Sequence, residues 1–328
     1  MSKIDNLVVI GASTGGFDVL KTVLGRLPED FPSPVLIAMH IGKFNSQLPA
    51  LLAPYTRLTV RHGVDGDSLR VGTVFVAPPG RHMLVDGPSI RLLRGAKENY
   101  SRPAIDPLFR SAAIAYRQNV IGVILTGDLD DGTVGLQAIK TCGGVALVQD
   151  PGEAVASSMP SGALRYVEVD GCLRSSQIAD RLIELARRPG TLVAAEPTPT
   201  MALEHSISLV SGLAAIESLD QVAPRSTMTC PECQGVLWEM DTSPLRYRCH
   251  TGHTYGALSM RASQDKAIEE LLWAAVRAFH EKDQLMQRQR ETASSSGRTE
   301  QAEEYDLIAA EARMRAHALV QLLGSDNS

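Results

Sequence analysis

Long apolar runs are missing from this chain of 328 residues. No stretch reaches the roughly 18 apolar residues that suggest a membrane-spanning helix, so insertion into a bilayer is not expected. The first apolar run meets Gly11 within a few residues and lacks the length and cleavage site of a secretory signal, which points to the cytoplasm. A basic excess is missing too. Lys and Arg number 32 against 37 Asp and Glu, a net charge of -5, so no overall field holds nucleic acid by its phosphates. Cysteine is sparse and uneven: of five, Cys230, Cys233 and Cys249 cluster while Cys142 and Cys172 stand alone. That distribution disfavours a disulfide framework and suits a metal site in a reducing compartment. What the chain does hold is 44% hydrophobic residues, enough to bury a core, and a length that suggests about two domains.

From residue 6 to 188, short apolar runs alternate with helical patterns. Runs at 7–10, 35–39, 120–125 and 145–148 are apolar throughout, which fits strands buried on both faces of a parallel sheet. Helical patterns at 17–27, 107–117, 132–141 and 178–187 supply the covering layers. The predicted fold is α/β, a doubly wound and mainly parallel sheet. The Gly- and Pro-richer stretch 60–93 reads as short antiparallel pieces with a turn at Ala77-Pro78-Pro79-Gly80.

Gly11-Ala12-Ser13-Thr14-Gly15-Gly16 follows the first strand and opens a helix. A serine hydroxyl is a weak nucleophile and needs exposure on a sharp turn, a base, and amide donors for a developing oxyanion. A strand-turn-helix junction offers the exposure and the amides. The rival reading is a dinucleotide fingerprint used by an oxidoreductase. Serine replaces its middle glycine here, and the second strand ends in His40 rather than a ribose-binding acid. His40 stands where the carboxyl ends of parallel strands converge, near Ser13, and an imidazole suits proton relay at neutral pH. A third strand end carries Asp128, Asp130 and Asp131. One of these acids orients His40 in a triad reading; the same loop equally suits a divalent metal or the capping of the next helix.

These blocks, in order, resemble the catalytic domain of the CheB family of chemotaxis receptor methylesterases over about residues 6–188. The resemblance puts the nucleophile on Ser13, the base on His40 and the acid on Asp131, the last within a Leu-Thr-Gly-x-x-x-Asp-Gly block at 125–132. Arg102-Pro103-Ala104-Ile105-Asp106, Met159-Pro160 and the block at 76–83 fit as well. It implies hydrolysis of glutamate γ-methyl esters on the cytoplasmic helices of methyl-accepting receptors, with release of methanol and, in many members, glutamine deamidation. It implies no cofactor for catalysis. Thr14, Gly15 and Asp128 fall at the oxyanion and substrate positions, with Met159 nearby. The family commonly places an apolar residue where Asp128 stands, and the Asp128 carboxylate is expected to point away. Arg102 has two readings, a guanidinium that places an acidic receptor helix or a local ion pair. Family members commonly carry an N-terminal receiver domain; this chain opens at the catalytic blocks, so receiver control is not expected here.

Beyond a linker at 189–226, partly helical, Cys230-Pro231-Glu232-Cys233 forms a Cys-x2-Cys knuckle, with Cys249 and His253 downstream. Cys230, Cys233, Cys249 and His253 make a Cys3His set for a structural zinc, with His250 the less suited fourth ligand. A ribbon without metal, folded through Val236, Leu237, Trp238 and Tyr247, is one alternative, and a redox pair at Cys230 and Cys233 is a minor one, since the knuckle lies outside any βαβ context. This zinc-ribbon-like module is read as 227–255, followed by a helical hairpin tail at 256–328. Stripes at Ile268, Leu272, Val276 and Phe279 and at Tyr305, Ile308, Ala312, Ala316, Leu319 and Leu323 pack on each other or on the ribbon, or serve as an arm that dimerises or binds a signalling partner. A non-catalytic signalling scaffold is the remaining alternative for the whole chain.

Overall fold

The computed structural model describes residues 4–40, 42, 46–189, 195–209 and 213–325. In chain order the elements begin with β1 (Leu7–Ala12), α1 (Gly16–Arg26), β2 (Val35–Met39), α2 (Leu48–Leu52), β3 (Thr59–His62), β4 (Thr73–Val76), β5 (His82–Asp86) and β6 (Ser89–Leu93). There follow α3 (Ile105–Tyr116), β7 (Val120–Ile124), α4 (Thr133–Thr141), β8 (Val145–Gln149), α5 (Ser158–Tyr166), β9 (Gly171–Leu173) and α6 (Ser175–Ala186). The remainder comprises α7 (Pro199–Leu209), α8 (Leu213–Val222), β10 (Arg225–Thr229), β11 (Val236–Thr242), β12 (Leu245–Cys249), β13 (Thr254–Gly256), α9 (Ala257–Ser295) and α10 (Thr299–Ser325).

Seven strands form one parallel sheet in the order β3-β4-β2-β1-β7-β8-β9. The central strands β1, β2 and β7 are apolar at every position because helices cover both faces, whereas the edge strand β3 carries Arg61 and His62. Alternation shows the division: Leu7 and Val9 of β1 join the core under α3, α4 and α5, whereas Val8 and Ile10 join the core under α1 and α6. The stretch read as antiparallel departs from that expectation. Its β3 and β4 extend the main sheet in parallel, and only β5 and β6 pair antiparallel. The long segment between β3 and β4 permits the crossover that a parallel pair requires.

Chain order reverses between β1 and β7, with β2 on one side of β1 and β7 on the other. Such a switch point leaves a crevice outside the carboxyl ends of the strands, where open α/β sheets bind ligands.

A second sheet, β10-β11-β12-β13, is antiparallel. Contacts gather Met1–Met260 into one compact unit and Arg261–Ser328 into another. Within the second unit α9 and α10 form the expected helical hairpin, but its seam is built largely of alanine. Val276, Ala312 and Ala316 of the expected stripes are buried, together with Ala293, Ala302 and Ala309, while Ile268 is exposed. No helix among the described residues is long and apolar enough to cross a membrane.

Candidate active site

Three strand ends supply three functional side chains. Ser13 follows β1, and its amide donates to the Thr126 carbonyl beyond β7 at 2.9 Å. His40 follows β2, and its amide donates to the Ala12 carbonyl at 3.1 Å. Asp131 follows β7 and ends the loop before α4. The sheet register therefore delivers an alcohol, an imidazole and a carboxylate to one rim. His40 Nδ1 lies 3.0 Å from Ser13 Oγ, and His40 Nε2 lies 2.7 Å from Asp131 Oδ2. Acceptance by the carboxylate fixes the proton on Nε2, which leaves the Nδ1 lone pair facing the serine.

Asp131 is 1% exposed and has no shortage of donors. Its Oδ2 also accepts from the Ile105 amide at 2.7 Å, and its Oδ1 from the Asp106 amide at 3.2 Å and Asn99 Nδ2 at 2.8 Å. The two amides open α3, whose dipole favours negative charge. Burial pushes the Asp131 carboxyl up, but His40, the Ile105 amide and Asn99 outweigh it and hold the acid below the ordinary value. The neighbouring Asp106 goes the other way. Burial and the Asp131 charge raise it well above the ordinary value. The two carboxyls share Asn99 Nδ2, at 2.6 Å and 2.8 Å, and their titrations belong to the pair.

The remaining loops are tied to the nucleophile. Thr126 Oγ1 donates to the Thr14 carbonyl at 2.9 Å and accepts from the Ala156 amide at 2.9 Å. Among the described residues, the amides of Thr14, Gly15 and Asp128 have no backbone acceptor. Thr14 and Gly15 follow Ser13 directly and Asp128 bonds to Thr14, so these amides are candidate oxyanion donors. The exposed Asp128 carboxylate accepts from Thr14 Oγ1 at 2.6 Å. Arg102 forms no ion pair among the described residues, and its Nη1 donates to the Gly95 carbonyl.

Met159 is buried, and its amide donates to the Gly127 carbonyl at 2.9 Å. Gly127 has no room for a side chain: a Cβ there would lie 2.2 Å from Met159 Sδ and 2.7 Å from Ser13 Cβ. Gly127→Ala is therefore expected to displace Ser13 and lower kcat by about 100-fold, the effect of roughly 1 Å of misplacement. Its thermal midpoint should fall by far less than the activity does. Paired kinetics and calorimetry check this.

Asn99 escapes sequence reading. It lies in a loop at φ 48°, and it reaches Asp131 32 residues away. The one local signal is that Asn tolerates the left-handed region better than most residues.

Apart from the rim, the structure brings Cys230, Cys233, Cys249 and His253 together, with all ligand atoms within 4.8 Å of one another. Cys230 Sγ to His253 Nδ1 is 3.6 Å, Cys249 Sγ to His253 Nδ1 is 3.5 Å, and Cys233 Sγ to Cys249 Sγ is 3.6 Å. A tetrahedron with Zn–S near 2.3 Å and Zn–N near 2.0 Å has edges of about 3.5–3.8 Å, so the donors fit a zinc ion. Outer partners are also present. His253 Nε2 lies 3.6 Å from Glu232, the Thr251 hydroxyl donates to Cys233 at 3.4 Å, and the Tyr255 hydroxyl lies 3.3 Å from Cys230.

Comparison with known proteins points to one family. The family model described as CheB methylesterase matches residues 8–182. The "Protein-glutamate methylesterase/protein-glutamine glutaminase 2" of Anaeromyxobacter dehalogenans is 41% identical over 182 residues, 55% of this chain and 53% of the relative. A Leptospira interrogans protein, provisionally described by the same two activities, is 38% identical over 180 residues, 54% of this chain and 93% of its own length. The chain thus spans nearly all of the Leptospira relative and about half of the Anaeromyxobacter one. The crystal structure of the Thermotoga maritima CheB methylesterase catalytic domain is 34% identical, with a TM-score of 0.53, and covers 55% of this chain and 98% of that one.

Proposed function

The chain belongs to the CheB methylesterase family, and from that premise we propose that it hydrolyses glutamate γ-methyl esters on the cytoplasmic helices of methyl-accepting chemotaxis receptors, releasing methanol. Glutamine deamidation on the same receptors is the second reaction of the same site. The observation that carries the reading is the continuous path from Ser13 Oγ through His40 to a buried, ionised Asp131.

Ser13 Oγ attacks the ester carbonyl while His40 Nδ1 takes its proton. Asp131 stays ionised and stabilises the imidazolium through Nε2–H. The oxyanion turns toward the amides of Thr14, Gly15 and Asp128. Collapse of the tetrahedral intermediate expels methoxide, which leaves as methanol with the proton from Nδ1. Water then attacks the acyl-enzyme, with His40 again as base, and glutamate and free Ser13 result. A glutamine substrate follows the same course with ammonia as the leaving group. None of these steps requires a cofactor.

The hydride-transfer alternative fits less well. His40 occupies the end of β2 where a ribose-binding acid is needed, and its ring is engaged with Ser13 and Asp131. A fluorophosphonate serine probe tests the proposal directly. Labelling of the peptide that contains Ser13 is the expected result, and labelling that persists in Ser13→Ala would contradict it.

A further inference from the structure

The antiparallel ribbon touches the catalytic acid's supports at three places. First, β13 pairs with the loop that carries Asn99. The Asn99 amide donates to the Thr254 carbonyl at 2.8 Å, and the Thr254 amide to the Lys97 carbonyl at 3.3 Å. Second, the Asn99 side chain is held from both ends. Its Nδ2 donates to Asp131 and Asp106, and its Oδ1 accepts from the Gly256 amide at 3.1 Å and lies 3.4 Å from the Ser259 hydroxyl. Third, Asp130, adjacent to the catalytic acid, caps the first turn of α9, accepting from the Leu258 amide at 2.9 Å and the Ser259 amide at 3.3 Å. The fit at Gly256 is tight: a Cβ there would lie 2.2 Å from Asp130 Oδ2.

The same residues adjoin the Cys3His cluster. His253 immediately precedes Thr254, and Cys249 ends β12, the partner of β13. His253 Nε2 faces Glu232, whose other contact is Lys97 Nζ at 3.1 Å, two residues before Asn99. The cysteines sit in the ribbon's small apolar cluster with Leu237, Tyr247 and Tyr255, and a closed four-ligand site would add to its order.

We propose that Cys230, Cys233, Cys249 and His253 bind one Zn2+, and that the zinc-held ribbon clamps Asn99, a positioning residue that sets the orientation of Asp131 for His40. The activity arm of this inference rests on the esterase reading; the metal arm stands apart from it. Asn99 donates a hydrogen bond that spreads the Asp131 charge and keeps Oδ2 aimed at His40. Without that donor the carboxylate turns more freely and bears more charge against the imidazolium. The charged and titratable groups around Asp131 are His40, Asp106, Asp130 and the buried His82.

Full-length protein purified without chelator should hold about one zinc per chain, lost in Cys233→Ser and Cys249→Ser. Cobalt in its place should show the thiolate charge-transfer and d–d bands of a tetrahedral sulfur site. Absence of stoichiometric zinc and of those bands would overturn the metal arm. Asn99→Gly tests the clamp, because glycine accepts the positive φ and removes only the side chain. It should keep its zinc, react with the serine probe about 10- to 100-fold more slowly, and shift the acid limb of its rate profile to higher pH. A zinc-bound Asn99→Gly that reacts at the wild-type rate, or slows with its acid limb unmoved, would reject the positioning role. If the wild-type chain itself takes no probe, the esterase reading falls and the clamp with it, whereas fast wild-type labelling matched by Asn99→Gly removes the clamp alone.

Discussion

Ser13→Ala is expected to lower turnover of a glutamate methyl ester by at least about 10^4-fold, with His40→Ala costing about as much and the double variant little more. The non-additivity follows from the geometry. At 3.0 Å, His40 Nδ1 has one task in the first step, to take the Ser13 proton, and neither group performs its part alone. The amides of Thr14, Gly15 and Asp128 remain in all three variants, so a residual rate above the uncatalysed reaction persists. Steady-state kinetics on the two single variants and the double variant check this. Losses that multiply would mean that Ser13 and His40 act independently.

The second large effect lies in a buried charge cluster. Arg246 grips Glu204 in a bidentate pair at 2.6 Å and 2.7 Å. Arg110 of α3 lies 3.2 Å from both oxygens of Glu98 and 3.5 Å from Glu204. Arg248 completes the group at 3.9 Å from Glu98 and 3.8 Å from Glu204. The five side chains join α3, α7 and β12 inside the first compact unit. Three cations thus lean on two anions, and Glu204 contacts all three. Removing Glu204 leaves buried positive charge uncompensated, at a cost of about 3–5 kcal/mol. Glu204→Gln should therefore lower the thermal midpoint by roughly 10 °C in calorimetry. A midpoint within about 2 °C of wild type would show that the cluster contributes little.

The same group sets a pH window. Burial pushes the Glu204 carboxyl up, but Arg246 and Arg110 outweigh it and lower it from 4.5 to about 2. A depressed carboxyl contributes fully above its unfolded value, and its contribution is lost as pH falls through the folded one. Wild-type stability should drop between pH 4.5 and about 2, and Glu204→Gln should show a shallower drop there.

Much of the catalytic rim was legible because buried parallel strands announce themselves. An apolar run that stops at Ser13, at His40 or before the acidic loop puts each side chain at a carboxyl edge, and the switch point brings those edges together. The cysteine spacing likewise pointed to a cluster, since knuckle ligands lie close in sequence. Contacts at long separation were invisible. Asn99 meets Gly256 across 157 residues, and Glu204 meets Arg246 across 42, with no periodic pattern joining them. The parallel pairing of β3 with β4 was hidden because short strands carry too few residues to show their partners. The bond between Thr14 and Asp128 was likewise hidden, because charge alone says nothing of a neighbour 114 residues away.

Methanol release from a methylated receptor, measured with the wild-type chain and with Ser13→Ala side by side, tests the central claim most directly. The account predicts steady release by the wild type and almost none by the variant, with the receptor glutamates recovered as free acids. Equal release by both chains, or none by a folded wild type that still reacts with the serine probe, would contradict it.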